Sequence, residues 1–321
     1  MRRRDFIKKS GLLGLAVTLP LEVSSSIIKR DPVYFGLIAD IHKDVMHDAD
    51  FRLQSFINAV HQKKADFILQ LGDFCVPHER NSEFLNIWNT YEGDKHHVLG
   101  NHDTDGGYTR DQTRKFWDMP ANYYSFDKGG VHFIILDGND KNPKPWTGYN
   151  RYIAQEQQEW LKNDLMQTDN PTVIFSHQTL ELESDGVANM KTIRNILEEA
   201  NAAAGFQKVI CCLCGHTHTD FQTKINGIYY VQINSASYRW VGGDYQKIRY
   251  SEEIDKKYQW IKYTIPYKDP LYTFVEIRPN KIVISPKETS FVGPGPEELK
   301  MPQSGSHDPI VPRISKFKLS I

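Results

Sequence analysis

An apolar run that ends in two potential metal ligands occupies residues 35–42, which read Phe35-Gly-Leu-Ile-Ala-Asp40-Ile-His42. Such a continuous apolar run is typical of a strand covered on both faces, as in an α/β sheet. Open α/β sheets bind ligands beyond the carboxyl ends of their strands. Asp40 and His42 stand two residues apart, so in an extended backbone they project to the same side. The stretch therefore predicts a buried strand with a metal site at its end.

The same arrangement recurs along the chain, because each further island of Gly, Asp, Asn or His follows another apolar run. The islands are Gly72-Asp73 after residues 67–71, Gly100-Asn101-His102-Asp103 after residues 98–99, His177 after residues 173–175, and Gly215-His216-Thr217-His218 after residues 209–213. Strands of this kind bring their carboxyl ends to one sheet edge. We expect the islands to meet there.

The donors in these islands suit two intermediate metal ions such as Mn, Fe or Zn rather than Ca, because carboxylate and amide oxygens are mixed with imidazoles. A carboxylate can bridge two cations, and Asp73 is the candidate bridge. The first site would be completed by Asp40, His42 and His218, and the second by Asn101, His177 and His216.

In their order, the islands resemble the D-x-H, G-D, G-N-H-[DE], H and G-H-x-H blocks of the calcineurin-like metallophosphoesterase family, over residues 35–230. One block alone is weak, since turns favour Gly and Asp for backbone reasons, but the joint occurrence is specific. The resemblance implies an α/β fold, namely a four-layer α/β/β/α sandwich with two mixed β-sheets. It also implies that His102 is an acid beside the metals, and the neighbouring Asp103 is the candidate for orienting it.

The expected activity is hydrolysis of a small phosphorylated molecule, a phosphodiester or a phosphomonoester, by attack of a metal-bridging hydroxide. No Asp-Arg-Gly follows Gly72-Asp73, which disfavours a protein phosphatase, and Val76 stands where purple acid phosphatases carry an iron-binding Tyr. The alternatives are a nucleotide pyrophosphatase, a cyclic-nucleotide phosphodiesterase, and a non-catalytic scaffold on the same fold.

Two aromatic-rich loops are candidates for the substrate pocket. Residues 138–152 carry Trp146 and Tyr149, and residues 234–245 carry Tyr238, Arg239 and Trp240. These side chains are candidates for stacking on a nucleotide base, and the alternative is that they pack the loops down onto the protein.

The N-terminus reads Arg3-Arg4-Asp5-Phe6-Ile7-Lys8 and resembles a twin-arginine signal. The apolar run at residues 11–21 is shorter than the ~20 residues of a membrane span, and this length is typical of a signal-peptide core. Residues 1–30 are therefore predicted to be a signal peptide that engages the twin-arginine export machinery. The predicted location is periplasmic or secreted, and the alternative is anchoring to the inner membrane by an uncleaved signal.

The formal net charge of −1 disfavours nucleic-acid binding, because a protein that follows a phosphate backbone usually has a basic excess. Residues 31–285 are predicted to form one catalytic domain, and residues 286–321 an irregular C-terminal extension. Helices are predicted at residues 51–62, 82–91, 155–167 and 191–203, and hairpins at residues 123–136 and 219–233. Of these, the first hairpin is expected to continue the first sheet, and strands at residues 260–265, 271–277 and 281–284 to complete the second.

The chain contains four cysteines, namely Cys75, Cys211, Cys212 and Cys214. The last three lie in an apolar run, so we interpret them as small buried hydrophobic residues with free thiols. A disulfide between Cys75 and one of the three is the alternative.

Overall fold

The computed structural model describes residues 32–302 and 309–321. The predicted signal peptide lies outside this part of the chain. The helices are α1 (Ala49–Lys63), α2 (Ser82–Asn89), α3 (Arg110–Phe116), α4 (Gln155–Gln167), α5 (Met190–Ala204) and α6 (Glu252–Lys257). The strands are β1 (Val33–Ile38), β2 (Phe67–Gln70), β3 (Asp94–His97), β4 (Tyr124–Lys128), β5 (Val131–Ile135), β6 (Thr172–Ser176), β7 (Val209–Cys214), β8 (Phe221–Ile225), β9 (Ile228–Gln232), β10 (Tyr238–Trp240), β11 (Thr264–Pro266), β12 (Thr273–Arg278), β13 (Lys281–Ile284), β14 (Lys287–Glu288), β15 (Arg313–Ile314) and β16 (Phe317–Ser320).

Two six-stranded mixed sheets form the body of the protein. The first has the order β16-β13-β12-β1-β2-β3, and the second has the order β4-β5-β6-β7-β9-β8. In the first sheet β1, β2 and β3 are parallel, and the other pairs are antiparallel. In the second sheet β5, β6, β7 and β9 are parallel and only the edge strands β4 and β8 run against them. The prediction of two mixed β-sheets is confirmed.

The space between the sheets is filled by aromatic and aliphatic side chains. Successive residues of a strand face opposite sides of its sheet, so Phe35 and Leu37 of β1 point toward the second sheet. The Phe35 ring lies 4.5 Å from that of Phe67 and 5.9 Å from those of Phe133 and Phe175. This contact between the inner faces holds the two sheets together, and hence their strand ends.

Helices cover the outer face of each sheet. Ile38 of β1 packs with Leu53 and Phe56 of α1, and Gly36 leaves room for Phe56 against the sheet. On the second sheet, a separate apolar cluster joins β5, β6 and β7 to α4 and α5. The order of layers is therefore α/β/β/α, as predicted.

The predicted distribution of late strands between the sheets was wrong. The β4-β5 hairpin lies in the second sheet, whereas β12 and β13 pair beside β1 in the first. The predicted strand at residues 260–265 is instead a 3₁₀ turn at Ile261–Tyr263 followed by the short strand β11, which pairs with β10. Alternating side chains identify a strand, but its partner is chosen by long-range packing.

The segment after residue 285 differs from the irregular extension that we expected. Strand β16 pairs with β13 and forms the edge of the first sheet, and β14 pairs with β15. Ile314 and Leu319 enter the core between the sheets, where they are 0% and 2% exposed. The C-terminal residues thus complete the sandwich, because their few apolar side chains fit an otherwise open sheet edge.

All four cysteines are buried and free, which confirms the interpretation of them as thiols. Burial raises the pKa of the Cys212 thiol well above its ordinary value. No helix in the described segments is long and apolar enough to cross a membrane.

Candidate metal centre

The five predicted islands meet where the carboxyl ends of the two sheets adjoin. Asp40, Asp73 and Asn101 follow β1, β2 and β3 of the first sheet, and His177 and His216 follow β6 and β7 of the second. Backbone hydrogen bonds join neighbouring loops, because the Asp40 N–H donates to Gly72 O at 3.1 Å and the Gly215 N–H to His177 O at 3.1 Å. The structure therefore brings together all seven residues that were predicted to be ligands.

One cluster of potential ligands contains Asp40, His42 and His218, all buried. His218 Nε2 lies 3.2 Å from Asp40 Oδ1 and 3.1 Å from His42 Nε2. Adjacent ligands of a metal with bonds of about 2.1 Å are separated by about 3 Å, so these spacings fit a cation between them.

The second cluster contains Asp73, His177 and His216. His177 Nε2 lies 3.2 Å from Asp73 Oδ2, 3.2 Å from His216 Nδ1 and 3.1 Å from Asn101 Oδ1. Asn101 thus belongs to this cluster by distance. The donors are again a mixture of imidazole nitrogen and oxygen, which fits Mn, Fe or Zn.

Asp73 lies between the clusters. Its Oδ2 is 3.5 Å from His42 Nε2 in the first cluster and 3.2 Å from His177 Nε2 in the second. Its Oδ1 accepts the backbone N–H of His102 at 2.8 Å. One carboxylate is therefore placed to serve both sites, as the bridging prediction requires.

Backbone carbonyls orient two of the imidazoles. His177 Nδ1 lies 2.7 Å from Leu71 O, and His218 Nδ1 lies 2.8 Å from Tyr238 O. A carbonyl only accepts, so each Nδ1 carries the hydrogen and each Nε2 keeps its lone pair for a metal. The donor set therefore fits two cations in orientation as well as in composition.

The backbone at the ligands is not extended, so an extended strand does not explain why the two ligands of each pair face the same metal site. Asp40, His42, Asp73, His216 and His218 all have left-handed φ values, between 50° and 69°. Such backbone is uncommon for residues with a Cβ, and clusters of it mark functional sites. The paired ligands face one metal because the loops curl beyond the strands.

Two glycines allow this crowding. A Cβ on Gly100 would clash with the backbone N and the carboxylate of Asp73, and a Cβ on Gly215 would meet Asp40 Oδ2. Neither contact can be relieved by a flexible chain end, because both carboxylates are already held by hydrogen bonds. The glycines that precede the ligands are therefore required for close approach.

Charge inside the site is balanced between acids and imidazoles. Burial lowers the pKa of His42 and of His216 well below the ordinary value, so both are neutral and ready to coordinate. Burial also acts on His177, but the Asp73 carboxylate outweighs it and raises the pKa of His177 to about 10. The Asp73 carboxylate therefore favours positive charge beside it, which a bound cation would supply.

His102 stands beside the clusters, with its side chain 40% exposed. Its Nδ1 lies 2.7 Å from Asp105 Oδ2 and 3.1 Å from the Tyr149 hydroxyl. Burial would lower the pKa of His102, but the carboxylates of Asp73 and Asp105 prevail and raise it to about 9. The two carboxylates therefore favour the protonated form of His102 beside the two ligand clusters.

The expectation that Asp103 orients His102 was wrong. The Asp103 carboxylate is fully buried and accepts three backbone N–H groups, from Gly100 at 2.7 Å, Asp73 at 2.9 Å and Phe74 at 2.7 Å. It ties the loop after β2 to the loop after β3. Asp105 is the partner of His102, and sequence reasoning missed it because nothing distinguished it from other loop acids.

The first predicted substrate loop lies near the site. Tyr149 is 45% exposed, and its hydroxyl donates to Asp105 Oδ1 at 2.9 Å. Trp146 is 39% exposed and donates its Nε1–H to Tyr149 O at 2.7 Å. Tyr149 therefore reaches the neighbourhood of His102, whereas Trp146 contacts the loop itself.

The second loop supports the ligands more than it offers a pocket. Tyr238 is 2% exposed, and its ring lies 5.0 Å from those of His42 and His218. Arg239 donates to the carbonyl oxygen of Thr217, which directs its guanidinium to the loop that carries His216 and His218. Trp240 remains 47% exposed. Arg239 and Tyr238 therefore act as structural supports.

Two serines in the same loop were not anticipated. Ser235 Oγ donates to Asp40 O at 2.8 Å, and Ser237 Oγ donates to Ile41 O at 2.7 Å. Both hydroxyls are fully buried. They hold the carbonyls of the first metal loop, and isolated serines give no sequence signal for such a role.

The fold thus places two candidate metal-binding clusters at the adjoining edges of two sheets. A family model described as calcineurin-like phosphoesterase matches residues 33–220, and the chain belongs to this family. The general prediction of a metal-dependent phosphoesterase is thereby supported.

Solved structures share the fold at low sequence identity. A dimetal phosphatase from Danio rerio is 16% identical with a TM-score of 0.57, and the alignment covers 82% of this chain and 99% of that one. GAP50, described as the anchor in the inner membrane complex of Plasmodium, is 15% identical with a TM-score of 0.55, over 90% of this chain and 89% of that one. No curated protein sequence matches this chain.

Replacing Gly100 with Ala tests the crowding at the bridge. We expect this variant to lose most of its bound metal, because the new methyl group would overlap the backbone N and the carboxylate of Asp73 and force both to move. Metal content by elemental analysis after dialysis is the measurement. Gly243→Ala is the matched control, since a Cβ there meets nothing within 4 Å. Full metal content in Gly100→Ala would show that Asp73 need not occupy this position.

Proposed function

We propose that this protein is a dinuclear metal-dependent hydrolase of small phosphoesters, with Mn, Fe or Zn as the metal. The observation that carries the proposal is the sharing of Asp73 between two ligand clusters, with His102, held by Asp105, beside them. When bound, the two cations would activate water and neutralise the oxygens of the phosphoryl group. Phosphoryl transfer needs mainly positioning and charge stabilisation, which this site is built to provide.

The protein's own contribution to the chemistry is a held proton donor. Asp105 accepts from His102 at Nδ1, so the proton on Nε2 is free to pass to the leaving oxygen. The His102 backbone N–H is at the same time fixed to Asp73, which ties the position of the acid to that of the bridge. We therefore assign Asp105 as the positioning residue of His102.

A non-catalytic scaffold is the second candidate, since one protein of similar fold is described as an anchor. The present chain retains all seven predicted ligands, grouped in two clusters that Asp73 links, which favours an enzyme. If the protein is an enzyme, nucleotide pyrophosphatase and cyclic-nucleotide phosphodiesterase activities are two specific activities that the same site could have.

Metal-reconstituted protein should hydrolyse p-nitrophenyl phosphate or bis-p-nitrophenyl phosphate, and Asp73→Asn should abolish turnover and reduce metal content. The amide keeps the size of the side chain but removes the charge that both cations need. The measurement is initial rate and bound metal after stripping and reloading with Mn, Fe or Zn.

Wild-type turnover in Asp73→Asn would contradict the proposal that the Asp73 carboxylate bridges the two metal ions. If the reloaded wild-type protein bound two metals but turned over neither ester, the scaffold would be favoured. Preference between the two esters then separates monoesterase from diesterase activity.

Asp105→Asn should slow esters with poor leaving groups more than esters with good ones. A weakened proton donor matters most when the leaving oxygen is basic, and general acid catalysis is worth about 10²- to 10⁴-fold. We expect the loss of kcat to be about tenfold larger for phenyl phosphate than for p-nitrophenyl phosphate, because only the contact between Asp105 and His102 is weakened. His102→Ala should show the same selectivity with metal retained.

Asp111→Asn is the control for this experiment, because it removes an exposed acid whose nearest charge is Arg114, at 3.6 Å, on the same helix. Equal losses for both esters in Asp105→Asn would mean that Asp105 only stabilises the loop.

We infer that the chain is exported, on the evidence of Arg3-Arg4 and the apolar run that follows. The twin-arginine machinery carries folded proteins, so a metal site assembled before transport would suit this route. Wild-type protein should be recovered from the periplasm or medium, and the double variant Arg3→Lys, Arg4→Lys from the cytosol. Equal cytosolic recovery of both would contradict export, whereas wild-type protein in the membrane fraction would indicate an uncleaved anchor.

A further inference from the structure

A cavity of about 420 Å³ lies beside the two clusters of ligand side chains, between the loop that follows Asn101 and the loop that contains Tyr149. This volume falls within the range of about 300–1,000 Å³ that small-molecule pockets occupy. Asn101 lines it on the side of the second cluster, and Tyr149, whose hydroxyl contacts His102, lines it on another. The cavity therefore opens next to both a metal ligand and the proton donor.

The cavity lies where the leaving group of a bound substrate would extend. A leaving oxygen has to lie near the acid that protonates it, and the rest of the leaving group extends away from that oxygen. The cavity borders this region on two sides, because Tyr149 packs against His102 with the ring centroids 4.7 Å apart and Asn101 belongs to the second ligand cluster. A group bonded to that oxygen would thus enter this space.

The side chains that line the cavity carry polar groups. They are amide, hydroxyl, phenol and cationic side chains, and none of the lining side chains in the described segments is aliphatic. Within these segments Thr104, Tyr108, Lys141 and Asn150 line the cavity, and none of their polar side-chain atoms has a hydrogen-bond partner in residues 32–302 and 309–321. These groups are exposed or half-buried, so they can exchange water for a ligand that carries many hydroxyl groups.

The charge of the cavity argues against a second phosphate. Two cations line it, Arg110 and Lys141. Arg110 forms ion pairs with Asp137 and with Asp140, the latter at 2.8 Å, so its charge is already matched. Lys141 alone would face a pyrophosphate or a nucleotide diphosphate, and such groups are usually held by several cationic donors.

We propose that this cavity binds the leaving group of the substrate, and that this group is neutral and polyhydroxylated, that is, a sugar or polyol joined to the phosphate. The inference rests on the proposed function and narrows it to sugar and polyol phosphates. Tyr108 and Asn150 donate or accept hydrogen bonds with the hydroxyl groups, and Lys141 donates to one of them.

The test compares kcat/KM for glucose 1-phosphate, glucose 6-phosphate and glycerol 3-phosphate with kcat/KM for p-nitrophenyl phosphate. In Tyr108→Phe, Asn150→Ala and Lys141→Met, the ratio for the best sugar or polyol phosphate should fall by about tenfold each, the effect of one lost hydrogen bond. Lys144→Met is the matched control, because Lys144 is an exposed lysine of the same loop outside the cavity, and it should keep the wild-type ratio.

Unchanged ratios in all three variants would overturn the proposal. So would a wild-type preference for ADP-ribose over every sugar phosphate that is lost in Lys141→Met, because the cavity would then hold a second phosphate. A preference for adenosine 5′-monophosphate that Tyr108→Phe leaves intact would indicate base stacking instead.

Binding of free glucose, myo-inositol and glycerol, followed by saturation-transfer NMR, tests the cavity without any turnover. Signals in the wild-type protein that weaken in Asn150→Ala but not in Lys144→Met support the proposal even if no ester is hydrolysed. Absence of any signal, together with normal hydrolysis of p-nitrophenyl phosphate, would refute the cavity's role while leaving the phosphoesterase function in place.

Discussion

The position of the Asp73 carboxylate is the constraint on which the rest of the site depends. One oxygen faces an imidazole from each cluster, and the other accepts the backbone N–H of His102. A buried carboxylate is costly unless it is paired, so the surrounding imidazoles, and cations when bound, must lie close to it. The Asp73 side chain thus sets the positions of the two ligand clusters and of His102 relative to one another.

Asp73 can hold this position only because the backbone around it is clamped. The carboxylate of Asp103 binds the N–H groups of Asp73, Phe74 and Gly100, and so joins two loops from neighbouring strands. Five ligands adopt left-handed backbone, at a cost of order 1–3 kcal/mol each in isolation. Packing between the sheets offsets this cost, since the loops extend from strands that are buried on both faces.

Much of the site was readable from the sequence because each ligand follows directly after an apolar run. Asp40, Asn101 and His216 were identified in this way, and the structure brings them together with the other four ligands. Asp105 and Ser235 were not identified. Their roles depend on which loop lies opposite them, and a carboxylate or hydroxyl in a loop has no local feature that reveals its partner.

The sequence by itself determined the strands β1, β2, β6 and β7, the helices α1, α2, α4 and α5, and the ligand types, because burial and side-chain periodicity are local properties of the chain. Only the tertiary structure decided which sheet each strand joins, as with β4, β12 and β16, and which acid holds His102. Both depend on contacts between residues far apart along the chain or on opposite loops. Such contacts form when whole faces pack, and no single segment encodes them.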